Sequence, residues 1–392
     1  MKSLCTCLLL AAPALVSALQ AEEQQPALSL LPPGACWPDD RGVHINAHGG
    51  GLLVDEGVYY RYGEHKVGGS AGNYARVGVH CYSSRDLVNW KDEGIVLPVH
   101  AAPASPLAEG CILERPKVVK CAATGQYVMW FHLELRGHGY SSALSGVAVA
   151  DSPTGPFTFL RSGRINPGKW PLNLPEAQRD VGLSSQVPVL LSSSYREGDD
   201  RLAFLRRDFA GGQMARDMTL FVDDDGTAYH IYASEENSTL HIAELTPDYT
   251  AHTGRYVRLF EGRFHEAPTI CKRGGKYYMI TSGCTGRAPN AARSMVADSI
   301  MGEWKELGNP CVGQGADKTF GAQGTYILRL PDRPDTYIFM ADQWRPQNAI
   351  DGRYLWLPLE FTADGKPRLR MPDAAPQQHP EPEQPEQPER QP

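Results

Sequence analysis

The chain has 392 residues, of which 42% are hydrophobic and 21% charged, a balance that suits a globular protein with a sizeable core. Its 39 glycines and 31 prolines favour many short strands joined by turns over long helices. A formal net charge of −7 with no basic stripe argues against nucleic acid as a partner and leaves a neutral ligand open.

Lys2, the apolar run Leu8 to Val16 and the small-residue site Ser17-Ala18-Leu19-Gln20-Ala21 predict a cleavable export signal over residues 1–21. The run is too short to span a bilayer. A secreted or periplasmic protein with no membrane span is therefore expected, with a retained N-terminal anchor as the alternative. Cys5 and Cys7 would leave with the signal. The seven cysteines that remain form no C-x-x-C pair, which supports neither a zinc site nor a dense disulfide framework and leaves room for one or two bridges.

The next feature along the chain is a repeat. Five segments share one form, a polar or charged residue followed by two strands with a hairpin turn between them. They are NAHGGGLLVDEGVYYRYGEH (46–65), ERPKVVKCAATGQYVMWFH (114–132), RDMTLFVDDDGTAYHIYAS (216–234), HEAPTICKRGGKYYMITS (265–282) and GAQGTYILRLPDRPDTYIFMAD (321–342). Their turns fall at Asp55-Glu56-Gly57, Thr124-Gly125, Asp225-Gly226, Gly274-Gly275 and Asp332 to Asp335. The segments 83–94, 150–163 and 297–308 read as outer strand pairs, and residues 162–210 as an insertion between the second and third units. This pattern predicts an all-β, five-bladed β-propeller over residues 22–372. Residues 373–392, rich in Pro, Glu and Gln, predict an extended tail with too little apolar surface to fold.

The first strand of a propeller blade lines the central channel, so the residues that open the five copies should converge on one pocket. These are His48, Glu114, Asp217, Glu266 and Gln323. Facing carboxylates in a partly dry pocket have their pKa values driven apart, leaving one as an acid while another stays ionised. Glycoside hydrolysis requires that division, and nearby aromatics such as Tyr59, Trp130, Tyr140 and Trp344 suit stacking on sugar faces. Each acidic residue also has a purely structural reading: Glu114 paired with Arg115, and Asp217 with Arg216. Glu266, with small apolar neighbours and no adjacent cation, is the best candidate acid. Asp223-Asp224-Asp225 could chelate calcium but occupies a hairpin turn, and Asn237-Ser238-Thr239 is a formal glycosylation sequon. The histidine spacing supports no metal, and no cofactor is expected.

The blocks INAHGGGLL (45–53), YRYGEHK (60–66), LERPKVV (113–119), YVMWFH (127–132), RDMTLFVDDDGTAYHIYAS (216–234), EAPTI (266–270), TGRAPNAAR (285–293) and WRPQNAIDGRYLWLPLEF (344–361) resemble glycoside hydrolase family 43, within it the exo-β-1,3-galactanase branch. The resemblance implies an inverting hydrolase of oligo- or polysaccharide that releases galactose from β-1,3-galactan; a monomer is expected. It implies Glu266 as general acid, Asp217 as its tuning residue, and Glu114 with Gln323 holding the water, Gln323 in an imidic form being one variant. His48, which stands where the wider family carries an Asp base, is placed with Glu64, Arg115, Tyr140 and Asn237 among sugar contacts. Arg287 departs from the Trp often found in that block. Two other readings stay open: a β-galactofuranosidase or α-L-arabinofuranosidase, and a sugar-binding propeller without catalysis.

Overall fold

The computed structural model describes residues 30–183, 200–286, 288–333 and 335–372. The expected export signal, the C-terminal tail and Arg287 lie outside them. Five antiparallel sheets follow one another along the chain. Blade 1 comprises β1 (His48–Asp55), β2 (Val58–His65), β3 (Gly78–Ser84) and β4 (Lys91–Pro98), and blade 2 β5 (Ile112–Lys120), β6 (Tyr127–Glu134), β7 (Leu144–Ala150) and β8 (Thr158–Gly163). Blade 3 comprises β9 (Met218–Val222), β10 (Ala228–Ser234), β11 (Thr239–Leu245) and β12 (His252–Leu259). Blade 4 comprises β13 (His265–Arg273), β14 (Lys276–Gly283), β15 (Arg293–Ala297) and β16 (Trp304–Gly308). Blade 5 has β18 (Gln323–Arg329), β19 (Tyr337–Gln343), β20 (Arg353–Phe361) and β21 (Pro367–Arg370), with β17 (Cys311–Val312) added in parallel to β21. The expected five-bladed propeller is observed. Each of the five hairpin turns read from the sequence joins the first two strands of a blade, and Gly274 and Gly275 both take the left-handed conformation that a two-residue turn needs.

The apolar core is a set of layers between blades. Leu53, Tyr62 and Val79 of blade 1 meet Leu113, Met129 and Phe131 of blade 2, and equivalent layers follow between each neighbouring pair. The ring closes between blades 5 and 1, where Trp37 packs edge-on to Trp356 with ring centroids 5.0 Å apart. Buried Arg61 lies 3.7 Å above the Tyr354 ring in the same layer. The insertion between blades 2 and 3 carries, in its described part, a short helix (Ala203–Arg207) and two 3₁₀ turns. No described helix is long and apolar enough to cross a membrane. The seven cysteines outside the predicted signal are all free thiols, five of them buried, so the expected room for a bridge is unused.

Candidate active site

The innermost strands share a local device. In β1, β5 and β13 the pairing register slips immediately after the residue that opens the copy, between His48 and Gly51, Glu114 and Lys117, and Glu266 and Thr269. The following residue is left-handed in each case: Gly49 at φ +64°, Arg115 at +56° and Ala267 at +50°. In β18 the slip comes one residue later, between Gly324 and Tyr326. Such bulges kink a strand and re-aim the side chain beside them. Two non-glycine residues held at positive φ are strained, and strain of this kind collects at functional sites. Buried Lys117 ties two of the kinks together by donating to the carbonyls of Gly49 (3.0 Å) and Arg115 (3.3 Å).

Glu64, Glu114, Arg115, Tyr140, Asp217, Asn237, Glu266 and Gln323 all line one cavity of about 340 Å³. Arg115 spans Asp217 with Nε 3.0 Å from Oδ1 and Nη2 2.9 Å from Oδ2, and Nη2 also reaches Gln323 Oε1 at 2.6 Å. The structural pairings considered from the sequence are therefore exchanged: Arg115 goes to Asp217 rather than Glu114, and Arg216 goes to Glu236 rather than Asp217.

Glu114 is held by three donors. Asn73 Nδ2 (2.9 Å) and Tyr140 OH (2.7 Å) reach Oε1, while His132 Nδ1 lies 3.0 Å from Oε2. Burial works to raise its pKa, but the hydrogen bond and charge of His132, followed by Lys66 and Asn73, hold it well below the usual carboxylate range. Glu266 moves the other way. Burial first and the charge of Asp217 second push it up to about 8, with Arg115 opposing. Its Oε1 accepts from Asn237 Nδ2 at 2.8 Å.

Asn237 ends a run of three left-handed residues, Glu235 to Asn237, in the turn between β10 and β11. Buried Glu235 anchors this turn through Arg258 at 2.6 and 2.7 Å and His241 at 2.8 Å. The Asn237 amide is thus engaged inside the cavity, which leaves it unfit as a glycosylation acceptor. The Asp223 carboxylate pairs with Lys272 and accepts from Tyr277 across the blade 3–4 boundary, so this residue of the turn joins two blades.

His48 is the departure. It opens β1 as expected, yet it is fully buried, outside the cavity lining, with Nδ1 3.7 Å from Asp342 and its ring against Tyr354. Burial lowers its pKa. Its cross-strand neighbour Glu64 faces the cavity instead. Glu64 Oε1 accepts the Arg115 backbone N–H at 3.0 Å, and Oε2 pairs with Lys66.

Gln323 uses Oε1 to accept from Arg115 and from Trp344 Nε1 (3.0 Å), while its Nε2 donates to Ser282 Oγ at 2.9 Å. Two donors that cannot accept, both aimed at Oε1, favour the ordinary amide over the imidic form. Trp344, expected from the sequence to stack on a sugar, lines the cavity, as do Lys66, Asn73 and His132, to which the sequence pattern assigned no role. Glu114, His132 and Asp217 present ligand-type atoms within 4.8 Å of one another. Both His132 nitrogens already face carboxylates, however, and Asp217 is spanned by Arg115, so protein cations fill the place a metal ion would take.

The sequence profile of glycosyl hydrolases family 43 matches residues 204–367. Among solved structures, a GH43 β-1,3-galactosidase with galactodeoxynojirimycin is 51% identical, covering 87% of this chain and 98% of its own, with a TM-score of 0.80. An exo-β-1,3-galactanase from Clostridium thermocellum is 35% identical over 86% of this chain and 64% of its own, with a TM-score of 0.68. One from Phanerochaete chrysosporium with β-1,3-galactotriose is 29% identical over 86% of this chain and 66% of its own, also at 0.68. The chain spans about two thirds of the length of these last two. No curated protein matches it. With 51% identity along almost the full length of one such enzyme and the same propeller, the chain is a glycoside hydrolase and belongs to glycoside hydrolase family 43.

Proposed function

We propose that this hydrolase releases galactose from the non-reducing end of β-1,3-linked galactan with inversion at the anomeric carbon. The observation that carries the reading is the division of charge between Glu266 and Glu114. Glu266, pushed up to about 8, keeps its proton at neutral pH and can protonate the departing glycosidic oxygen. Asp217 sustains that proton by its charge while Arg115 fixes where the charge sits. Glu114 stays ionised and has one acceptor direction left on Oε2, which suits a water's O–H. The second Nε2 hydrogen of Gln323 suits the same water's oxygen. Glu114 is too weak a base to take the water's proton early, so it first orients the water and supplies charge as the oxocarbenium forms, then accepts that proton once the new C–O bond has made the water acidic. Galactan as substrate is supported by the activities of the similar enzymes, and export by the N-terminal pattern.

Purified protein and a Glu266→Gln variant are to be incubated with β-1,3-galactobiose, β-1,3-galactan, and nitrophenyl galactofuranoside and arabinofuranoside. Free galactose from the biose and the polymer, abolished in the variant, is expected. Proton NMR should show α-galactose as the first product. Release from a furanoside alone would replace the substrate. Binding without any release would replace the activity.

A further inference from the structure

Two buried ionisable groups lie behind Glu114 and take no part in the steps above. His132 stands across β5 and β6 from Glu114 and is 1% exposed. Its Nδ1 is 3.0 Å from Glu114 Oε2 and its Nε2 is 2.9 Å from Glu134 Oε1. Glu134 is fully buried, and its Oε2 accepts the Ala143 backbone N–H at 2.8 Å. A ring nitrogen this close to the oxygen of an ionised carboxylate, which can only accept, donates to it. An imidazole between two carboxylates can donate from both nitrogens only as the imidazolium. Of the described histidines, His132 alone is hydrogen-bonded to two carboxylates.

The other charged or titratable groups that face this unit come from four elements. Arg216 Nε, before β9, is 4.0 Å from Glu134 Oε1, and Asp217 follows it within 4.8 Å of the cluster. The Tyr140 ring, from the β6–β7 loop, is 6.0 Å from His132. Glu64 at the end of β2, Lys66 just after it and Glu266 of β13 act on Glu114 through their charges. Burying three ionised groups in place of apolar side chains is costly, and such an arrangement adds little stability of its own. Its effect falls on Glu114, whose Oε2 is turned toward His132 while Asn73 and Tyr140 hold Oε1.

We infer that Glu134 and His132 are a positioning pair for the hydrolytic step: Glu134 keeps His132 doubly protonated, and His132 keeps Glu114 ionised and oriented toward the water. The inference rests on the proposed galactosidase reading. The chain of contacts is short enough that each link can be cut separately. Glu134→Gln removes the distal charge with little change of shape. His132→Asn keeps a neutral donor toward Glu114 and removes the cation.

The test is galactose release from β-1,3-galactobiose across the pH range for wild type and both variants, with Glu266→Gln beside them. Both variants should lose about tenfold to hundredfold in kcat with KM changed by less than about threefold, the pattern of a misplaced water rather than a lost sugar contact. The acid limb of kcat/KM should also move up by about one pH unit or more, because Glu114 no longer faces a cation. An unmoved acid limb, whether kcat is unchanged or lowered equally at every pH, overturns the inference. A second measurement needs no variant. In histidine-15N-labelled wild-type protein, the ring with two slowly exchanging N–H protons should remain imidazolium at neutral pH, and a neutral His132 overturns the pairing. If wild type releases no galactose, the substrate reading fails, while the ring measurement still decides the state of His132.

Discussion

Arg115 and Asp217 meet fork to fork between blades 2 and 3, two nitrogens against two oxygens at 3.0 and 2.9 Å, although they lie 102 residues apart. The same guanidinium holds Gln323 Oε1 and the Gly324 carbonyl, so one side chain sets the position of groups from blades 3 and 5. Lysine supplies the charge but not the planar fork. Arg115→Lys should therefore fold and yet lose about a hundredfold or more in kcat/KM for galactose release. Steady-state kinetics with a thermal melt decide it. Activity within about threefold of wild type would show that point charge alone suffices.

Asp217→Asn should change a pH profile rather than only a rate. The Asp217 charge raises the Glu266 pKa, and Arg115 lowers it. Removing the first leaves Arg115 opposed mainly by burial, so Glu266 should lose its proton at lower pH. The alkaline limb of kcat/KM should shift downward by about one unit or more. An alkaline limb left in place would mean that Glu266 is not the acid, or that burial alone sets its pKa.

The same groups shape stability. Glu266 binds its proton up to about pH 8 when folded, against a usual value of 4.5, so folding loses stability as pH rises through that window and nothing further above it. His132 is the opposite chemical type with the same outcome. Burial lowers its pKa, but Glu114 and Glu134 outweigh that and raise it to about 9, so its contribution is full below the usual 6.5 and fades as pH climbs through 9. Wild-type Tm should fall from mildly acidic to alkaline pH. Glu266→Gln should melt above wild type on the alkaline side, with the gap closing near pH 5. Calorimetry across that range checks it. A gap that does not vary with pH would refute the assignment of the shift to Glu266.

The hairpin turns made the five blades legible in the sequence, and the residues opening each copy pointed to the channel. The side chains across from them were harder to read. Counting back from the turn at Thr124-Gly125, Lys117 pairs with Trp130, and an unbroken ladder would then set Glu114 against Leu133. The bulge shifts the register by one, so His132 takes that place, and a one-residue slip moves every side chain to the other face. His48 illustrates the same limit from the other side. Its position was readable, but the kink at Gly49 gives the cavity to Glu64. Asn73, Lys66 and Trp344 come from loops with no repeat to place them, and only the folded ring brings them to the site.

Gly49 offers a test of why that kink carries a glycine. Its φ of +64° is not by itself the reason, because Arg115 and Ala267 occupy the equivalent positions at +56° and +50°. A β-carbon at Gly49 would stand 2.3 Å from Glu64 Oε1, far inside contact distance. That oxygen accepts the Arg115 backbone N–H, so Glu64 cannot retreat without leaving a buried donor unpaired. Gly49→Ala should therefore cost about 1–3 kcal/mol in chemical denaturation and raise KM for galactobiose several-fold. Adding Glu64→Ala removes the clash, so the double variant should be more stable than the sum of the two single losses implies. Strict additivity would place the cost in the backbone at residue 49 and leave Glu64 without a part in it.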